Sequence, residues 1–239
     1  MLITILGLGI LFIGLAYVLT PNNAPYLLSG YNEMNEAEKA SFDLRAFLRF
    51  YKRFHLVLGL SLIVVGTLLH VLLNETAAGL FLMVYPISAY LYFGWRNMRF
   101  GTVKTPQKVM LVVLAATLIL VVGLLSTGIK EDSLTCTSEG IILSGWYGET
   151  IRWGDVASVE LVANHPKLSY KKNGFALGNI RKGYFGTTQN QTVKLLLNAD
   201  QKPLICIRLR TGQERYFSSK SRSNSVILDE LKSFMPPTP

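Results

Sequence analysis

VMLVVLAATLILVVGLLST, residues 109–127, and GIKEDSLTCTSEGIILSGWYGETIRWGDVASVEL, residues 128–161, meet at the point that decides how this chain folds. The first string carries no charge. At about 1.5 Å per residue it is long enough to cross about 30 Å of hydrocarbon as a helix. The second breaks into short runs of β-branched and aromatic residues between turn residues, the pattern of strands. A membrane-embedded part therefore gives way to a water-soluble part within a few residues.

Reading toward the N-terminus, three more apolar segments appear, at about 77–95, 54–73 and 2–19. The expected fold is an α-helical membrane domain of four transmembrane helices over residues 1–128, followed by a β domain over 133–239. The first segment has no preceding Lys or Arg, and its exit, Ala16-Tyr17-Val18-Leu19-Thr20-Pro21, lacks a small-residue cleavage signal. It is expected to stay as an uncleaved helix. Pro86 falls mid-way through the third segment, where membranes tolerate proline and a kink is expected. Tyr92 and Trp95 suit a headgroup-level aromatic belt. Gly7 and Gly14, like Gly59 and Gly66, lie seven residues apart, so each pair shares a helix face. Such faces let helices approach closely, although glycine is also simply common in membrane helices.

Charge agrees with this division. Only 16% of the 239 residues are charged, against about 25% in soluble proteins. Cations cluster in two connections: Lys39, Arg45, Arg49, Lys52 and Arg53, then Arg96, Arg99, Lys104 and Lys108. The link Asn74-Glu75-Thr76 and the N-terminus have none, and Lys130 alone follows the last segment. Because basic connections stay in the cytoplasm, the N-terminus and the β domain are expected outside it. Asn35, followed by Glu36 and Glu38, reads as a helix start. Leu44, Phe47, Leu48 and Tyr51 then form one apolar stripe. Residues 36–53 are therefore expected as a basic amphipathic juxtamembrane segment on the inner leaflet, with a partner-binding helix as the alternative.

In the β domain the expected strands are 134–137, 141–143, 149–153, 156–162, 193–197, 204–209 and 214–218, with an irregular stretch between the fourth and fifth. A helix after Ser221 is expected to bury Val226, Leu228, Leu231 and Phe234 and to end at Pro236-Pro237. Ile205, Ile207 and Leu209 alternate inward, which puts Cys206 outward with Arg208. Cys136 is expected to group with Leu134, so the two cysteines face apart and a disulfide is disfavoured.

About seven strands followed by one helix resembles the pleckstrin-homology fold, in which the helix plugs an all-β barrel. The residues that carry the likeness to bacterial pleckstrin-homology-like domains begin with Glu139-Gly140-Ile141, Ile151-Arg152-Trp153-Gly154-Asp155-Val156 and Asn173-Gly174-Phe175. They continue with Gly183-Tyr184-Phe185 and Thr211-Gly212-Gln213-Glu214-Arg215-Tyr216. In the N-terminal half, Leu28-Ser29-Gly30-Tyr31-Asn32, then Glu38-Lys39 and Phe42-Asp43, resemble an uncharacterised bacterial membrane family. These resemblances imply a multi-pass protein of the bacterial plasma (inner) membrane and cell envelope, and no known chemistry.

No nucleophile elbow, phosphate-cradling glycine loop or H-E-x-x-H motif occurs. His55 and His70 read as hydrogen-bonded groups near the ends of a span, and His165 has no metal-ligand spacing. The chain is read as not an enzyme, with no cofactor and no metal. The best binding candidate lies between Leu161 and Ala199, which holds six cations, interleaved aromatics and no acid. Lys167, Lys171, Lys172, Arg181 and Lys182 form the candidate anion-binding set, against a plain solvated basic rim. The expected partners are the lipid bilayer, an anionic lipid or envelope polymer, and a protein partner or second copy, with no nucleic acid. Two functions stay open. One is a non-catalytic binding module displayed outside the cytoplasm. The other is an envelope sensor or accessory subunit signalling to a cytoplasmic partner.

Overall fold

The first apolar helix ends six residues before Pro21. In the computed structural model α1 spans Leu2–Leu15 rather than reaching Leu19. Proline disfavours helix at the residue before it and supplies no N–H. Asn23 then locks a turn, its side chain accepting from Thr20 N at 2.7 Å and donating to Val18 O at 2.8 Å. The structure describes residues 1–28, 31, 34–100, 105–198 and 201–235. They divide into two units, Met1–Leu124 and Leu125–Pro239. Several sequence features lie partly or wholly outside the described residues: Ser29, Gly30 and Asn32 of the family-like segment, Lys104, and Pro236-Pro237.

After α1 come the short α2 (Ala24–Leu27) and α3 (Glu36–Ser41), then α4 (Leu44–Leu72), α5 (Glu75–Asn97) and α6 (Thr105–Ile129). Asn35 and Glu38 close a reciprocal capping box at the start of α3. Asp43 caps α4 through Ala46 N at 2.9 Å, and Asn74 caps α5 through Ala77 N at 2.8 Å. The expected amphipathic segment 36–53 is therefore not one element. Its second half is the opening of α4, because nothing between Leu44 and Leu72 breaks a helix. At 29 residues α4 is about 44 Å long, so its basic first turns overrun the hydrocarbon core. Pro86 interrupts no part of α5. Among the described residues three helices, α4, α5 and α6 from Pro106 onward, are long and apolar enough to cross a membrane. They make this chain a membrane protein with a C-terminal β domain. At 14 residues α1 is apolar but shorter.

Within the first unit α1 packs on α4 through glycine. A Cβ on Gly59 would sit 2.6 Å from Gly9 O, one on Gly9 2.3 Å from Ile63, and one on Gly66 3.1 Å from Ile5. The pair Gly59 and Gly66 therefore serves close approach, whereas Gly7 and Gly14 meet nothing within 4 Å. Gly9, off their face, is the residue that matters on α1. Helices α4 and α5 run antiparallel around Phe54, Leu58 and Leu62, with Phe93 and Tyr90 packed against them.

Among the described residues the second unit holds nine strands. Strands β1 (Leu134–Cys136), β2 (Gly140–Leu143) and β3 (Glu149–Arg152) form an antiparallel sheet. Strands β4 (Val156–Val162), β5 (Leu168–Leu177), β6 (Ile180–Thr187), β7 (Thr192–Leu197), β8 (Leu204–Leu209) and β9 (Glu214–Ser218) form a second. Its order is β4-β8-β9-β7-β6-β5, with β7 and β9 parallel. The irregular stretch expected before residue 193 is in fact the β5–β6 hairpin, which turns at Gly178 with φ of +56°. Its strand character was hidden because β5 is an edge strand with mostly exposed side chains and two register shifts. Asn173 and Gly174 lie within β5, and Gly174 faces Gly183 so closely that a Cβ would meet Lys182 O at 2.4 Å.

Two apolar clusters line the six-stranded sheet. One holds Ile141, Ile151, Leu196, Ile205, Ile207 and Phe217 against α7 (Asn224–Phe234). The buried stripe of α7 is Ile227, Leu228 and Leu231, while Val226 and Phe234 are exposed. The other cluster holds Phe185, Val193, Leu195, Leu197, Cys206 and Tyr216. Cys206 is thus buried, 1% exposed, contrary to the outward placement expected from alternation. Strand β8 is central and both its faces are covered, so alternation divides one apolar cluster from the other rather than inside from outside. Both cysteines are free.

Candidate anion-binding site

The β4–β5 connection, the start of β6 and the loop before β8 bring His165, Arg181 and Lys202 to one hollow. His165 Nδ1 lies 2.8 Å from Pro166 O, and its Nε2 lies 3.1 Å from Arg181 Nη1. A guanidinium can only donate. Nε2 must therefore accept and Nδ1–H must donate, so this geometry needs the neutral ring. The imidazole fixes the head of Arg181 without neutralising it. Lys202 Nζ donates to Asn164 Oδ1, which holds the second cation at the rim.

The hollow encloses about 280 Å³ and is also lined by Lys167 and Asn179. A neighbouring hollow of about 440 Å³ shares His165, Lys167 and Arg181 and adds Lys171 and Tyr170. Among the described residues neither is lined by a carboxylate. Among the described residues the hollow thus joins fixed cations to an amide-bearing rim without a carboxylate, donors of the kind that suit an oxyanion.

The five sequence candidates separate here. Lys167 and Arg181 meet at the hollow, and Lys171 lines its neighbour. Lys172 is exposed on β5 at a register shift. Lys182 cannot serve: it is 4% exposed, lies 3.2 Å from Asp132 Oδ2 and also donates to Lys130 O. Lys194 is likewise buried, 3.1 Å from Glu149 Oε1, which also receives Arg215 Nε at 2.7 Å. The interval holds no acid because its acids come from elsewhere in the chain, Asp132 ahead of β1 and Glu149 on β3. Sequence reasoning missed Asn164, His165 and Lys202 as members of the site. The one available signal was Asn164-His165-Pro166-Lys167, a polar run ending a strand.

The residues just after α6 are also fixed by distant contacts. Glu131 Oε1 accepts from Ser219 Oγ, Lys220 N, Ser221 N and Ser221 Oγ at 2.7–3.2 Å. Burial pushes its carboxyl upward, but these hydrogen bonds outweigh that and hold it below the ordinary range. Burial raises the neighbouring Asp132 carboxyl, with Lys182 pulling against it. Asn198 brackets Asp132 through the backbone, at 2.9 Å to its N and 3.0 Å to its O.

In the membrane unit His55 is hydrogen-bonded on both sides, Nδ1 to Tyr51 O at 2.8 Å and Nε2 to Tyr90 Oη at 3.1 Å. Among the described residues no three His, Cys, Asp or Glu side chains converge as metal ligands.

No curated protein matches this chain, and no solved structure matches it. Residues 6–100, which run from within α1 to just past α5 and stop short of α6 and the β unit, match a family described as a domain of unknown function (DUF3784).

Proposed function

We propose that this chain is a non-catalytic binding module of the bacterial inner membrane. Its β unit is displayed outside the cytoplasm and takes an anionic envelope component, a lipid headgroup or a polyanionic polymer, at the His165 hollow. The observation that carries this reading is the Arg181–His165 contact, which orients a guanidinium without a carboxylate partner among the described residues beside Lys167 and Lys202. The β unit is read as a pleckstrin-homology-like variant, supported by the C-terminal helix that buries Ile227, Leu228 and Leu231 in the core. Nine strands and a parallel β7–β9 pair are its departures from that fold. A protein partner or second copy would meet the same basic face.

The orientation draws on the cation clusters. The basic connections precede α4 and follow α5. If both lie inside, α6 ends outside. Whether α1 crosses changes the side of the N-terminus alone. A phosphatase fused after Pro239 is expected to be active, and an inactive fusion with a fluorescent cytoplasmic reporter overturns the placement.

Inorganic polyphosphate titrated onto the full chain in non-ionic detergent tests the site. Arg181→Glu with Lys202→Glu is expected to weaken association about tenfold or more and to reduce its salt dependence. Unchanged affinity in a folded double variant refutes the site.

The alternative, a sensor that reports to a cytoplasmic partner, draws on the tethering of Lys130, Glu131 and Asp132 into the β unit directly after α6. Photocrosslinks from residues 36–53 that change when polyphosphate is added would favour it.

A further inference from the structure

The membrane unit holds a second feature with a ligand's shape. A groove of about 700 Å³ runs between α4 and α5. Phe50, Phe54, Tyr85 and Tyr92 line it, with Arg96 on the last turn of α5 and Arg53 one turn on from Phe50 along α4. Its inner hydroxyls already have partners. Tyr85 Oη lies 2.6 Å from Ser61 Oγ, and Ser88 Oγ donates to Val84 O at 3.0 Å. The body of the groove therefore offers an apolar wall. The two guanidinium groups differ from it: among the described residues neither has a carboxylate partner.

The dimensions select the occupant. From Tyr85 to Arg96 the wall extends about 16 Å along α5, close to half of the roughly 30 Å hydrocarbon core. That is the depth of one leaflet. The cations then fall at the level where a headgroup begins, and Arg is suited to gripping phosphate oxygens with paired donors. A free phosphate would leave the aromatic wall unused, and a zwitterionic lipid would bring its own cation to the arginines.

We propose that the α4–α5 groove holds one anionic glycerophospholipid, its phosphate on Arg53 and Arg96 and one acyl chain along Phe54 and Tyr85. This site does not depend on the reading of the His165 hollow, which lies in the other unit.

Native mass spectrometry of the full chain, released from detergent after incubation with phosphatidylglycerol, phosphatidylcholine or sn-glycerol 3-phosphate, tests it. A one-lipid adduct is expected with phosphatidylglycerol, about tenfold weaker with phosphatidylcholine, and not displaced by millimolar glycerol phosphate. Arg53→Gln with Arg96→Gln should reduce the adduct about tenfold. Arg49→Gln with Lys52→Gln, two cations outside the groove, should leave it unchanged. Val57→Trp fills the groove from its exposed rim while keeping both arginines, and it should also reduce the adduct about tenfold.

Three results overturn the proposal. One is equal loss from both charge pairs, which means diffuse attraction to a basic collar. Another is an adduct indifferent to Val57→Trp. The last is displacement by glycerol phosphate, which means that free phosphate is bound. All adducts are scored in an Arg181→Glu background, which disables the hollow of the β unit and in which the one-lipid adduct should persist.

Discussion

Cations behave oppositely in the two units. In the membrane unit they stand at helix ends, and Arg45, Arg49, Arg53 and Arg96 have no ion pair among the described residues. Bare hydrocarbon forces that placement, because a charge inside it is costly. In the β unit Lys182, Lys194 and Arg215 are driven into the interior, each against a carboxylate from a remote part of the chain. In the first unit a charge marks a boundary, and in the second it marks a long-range contact. Counting cations therefore reads topology well in one and misleads about ligand sites in the other.

The sharpest way to break this contrast is to remove one buried partner. Asp132→Ala leaves Lys182 enclosed and uncompensated, since both side chains are nearly inaccessible. A buried pair broken from one side costs about 3–5 kcal/mol, whereas replacing both by apolar groups is often nearly neutral. Thermal unfolding of the full chain in detergent, followed by near-ultraviolet circular dichroism, should show the large loss for Asp132→Ala. Most of it should return in Asp132→Leu with Lys182→Met. A small loss in the single variant would mean that water reaches Lys182.

The membrane unit has a comparable weak point, and it is steric. Gly59→Val puts methyl groups into Gly9 O and Ile13. Overpacking of this kind costs about 1–3 kcal/mol. Gly7→Val and Gly14→Val, with open space at both positions, are the matched controls and should stay within about 0.5 kcal/mol. Detergent-resistant unfolding of the same chain ranks the three.

Next in size is a pH effect in the connector after α6. The folded Glu131 carboxyl is held below its ordinary value of 4.5 by its hydrogen bonds, against burial. In the window beneath that value the unfolded chain binds more protons than the folded one. Stability from Glu131 is therefore complete above the window and is lost as pH falls through it. Glu131→Gln should cost about 1–2 kcal/mol near neutrality and flatten the acid limb of the stability curve. Asp132 acts in the other sense, since its carboxyl is raised by burial, and it should persist as a weak opposite slope in Glu131→Gln. Stability measured from pH 3 to 7 reads both.

How much of this was legible in the chain follows the same contrast. Local signals transferred directly: the Asn35 and Glu38 cap and the bounds of β4 could be read from neighbouring residues. The end of α1 moved because the chain turns over Thr20–Asn23 despite its hydropathy. What failed was whatever depends on the second partner. Alternation in β8 could not reveal that both faces are covered. The glycine spacing found Gly59 and Gly66 but chose the wrong partners on α1, because that choice depends on the facing helix. Strand β5 has too few apolar residues to announce itself, since an edge strand exposes most of its side chains. The anion hollow needed Arg181, His165 and Lys202 from three separate segments, and only a fold brings them together.

The smallest predicted effect asks whether exposed cations on β5 belong to a ligand at all. Lys171 and Lys172 stand on the outermost strand of the six-stranded sheet. Lysine on such an edge deters pairing with another chain. Lys171→Thr with Lys172→Thr should leave stability within about 0.5 kcal/mol, because both side chains are exposed. Polyphosphate affinity should fall far less than in the Arg181 and Lys202 variant. Self-association should rise, read by light scattering of the detergent-solubilised chain. If affinity instead collapses while association stays flat, β5 is part of the binding face, and the site extends across the larger hollow lined by Tyr170.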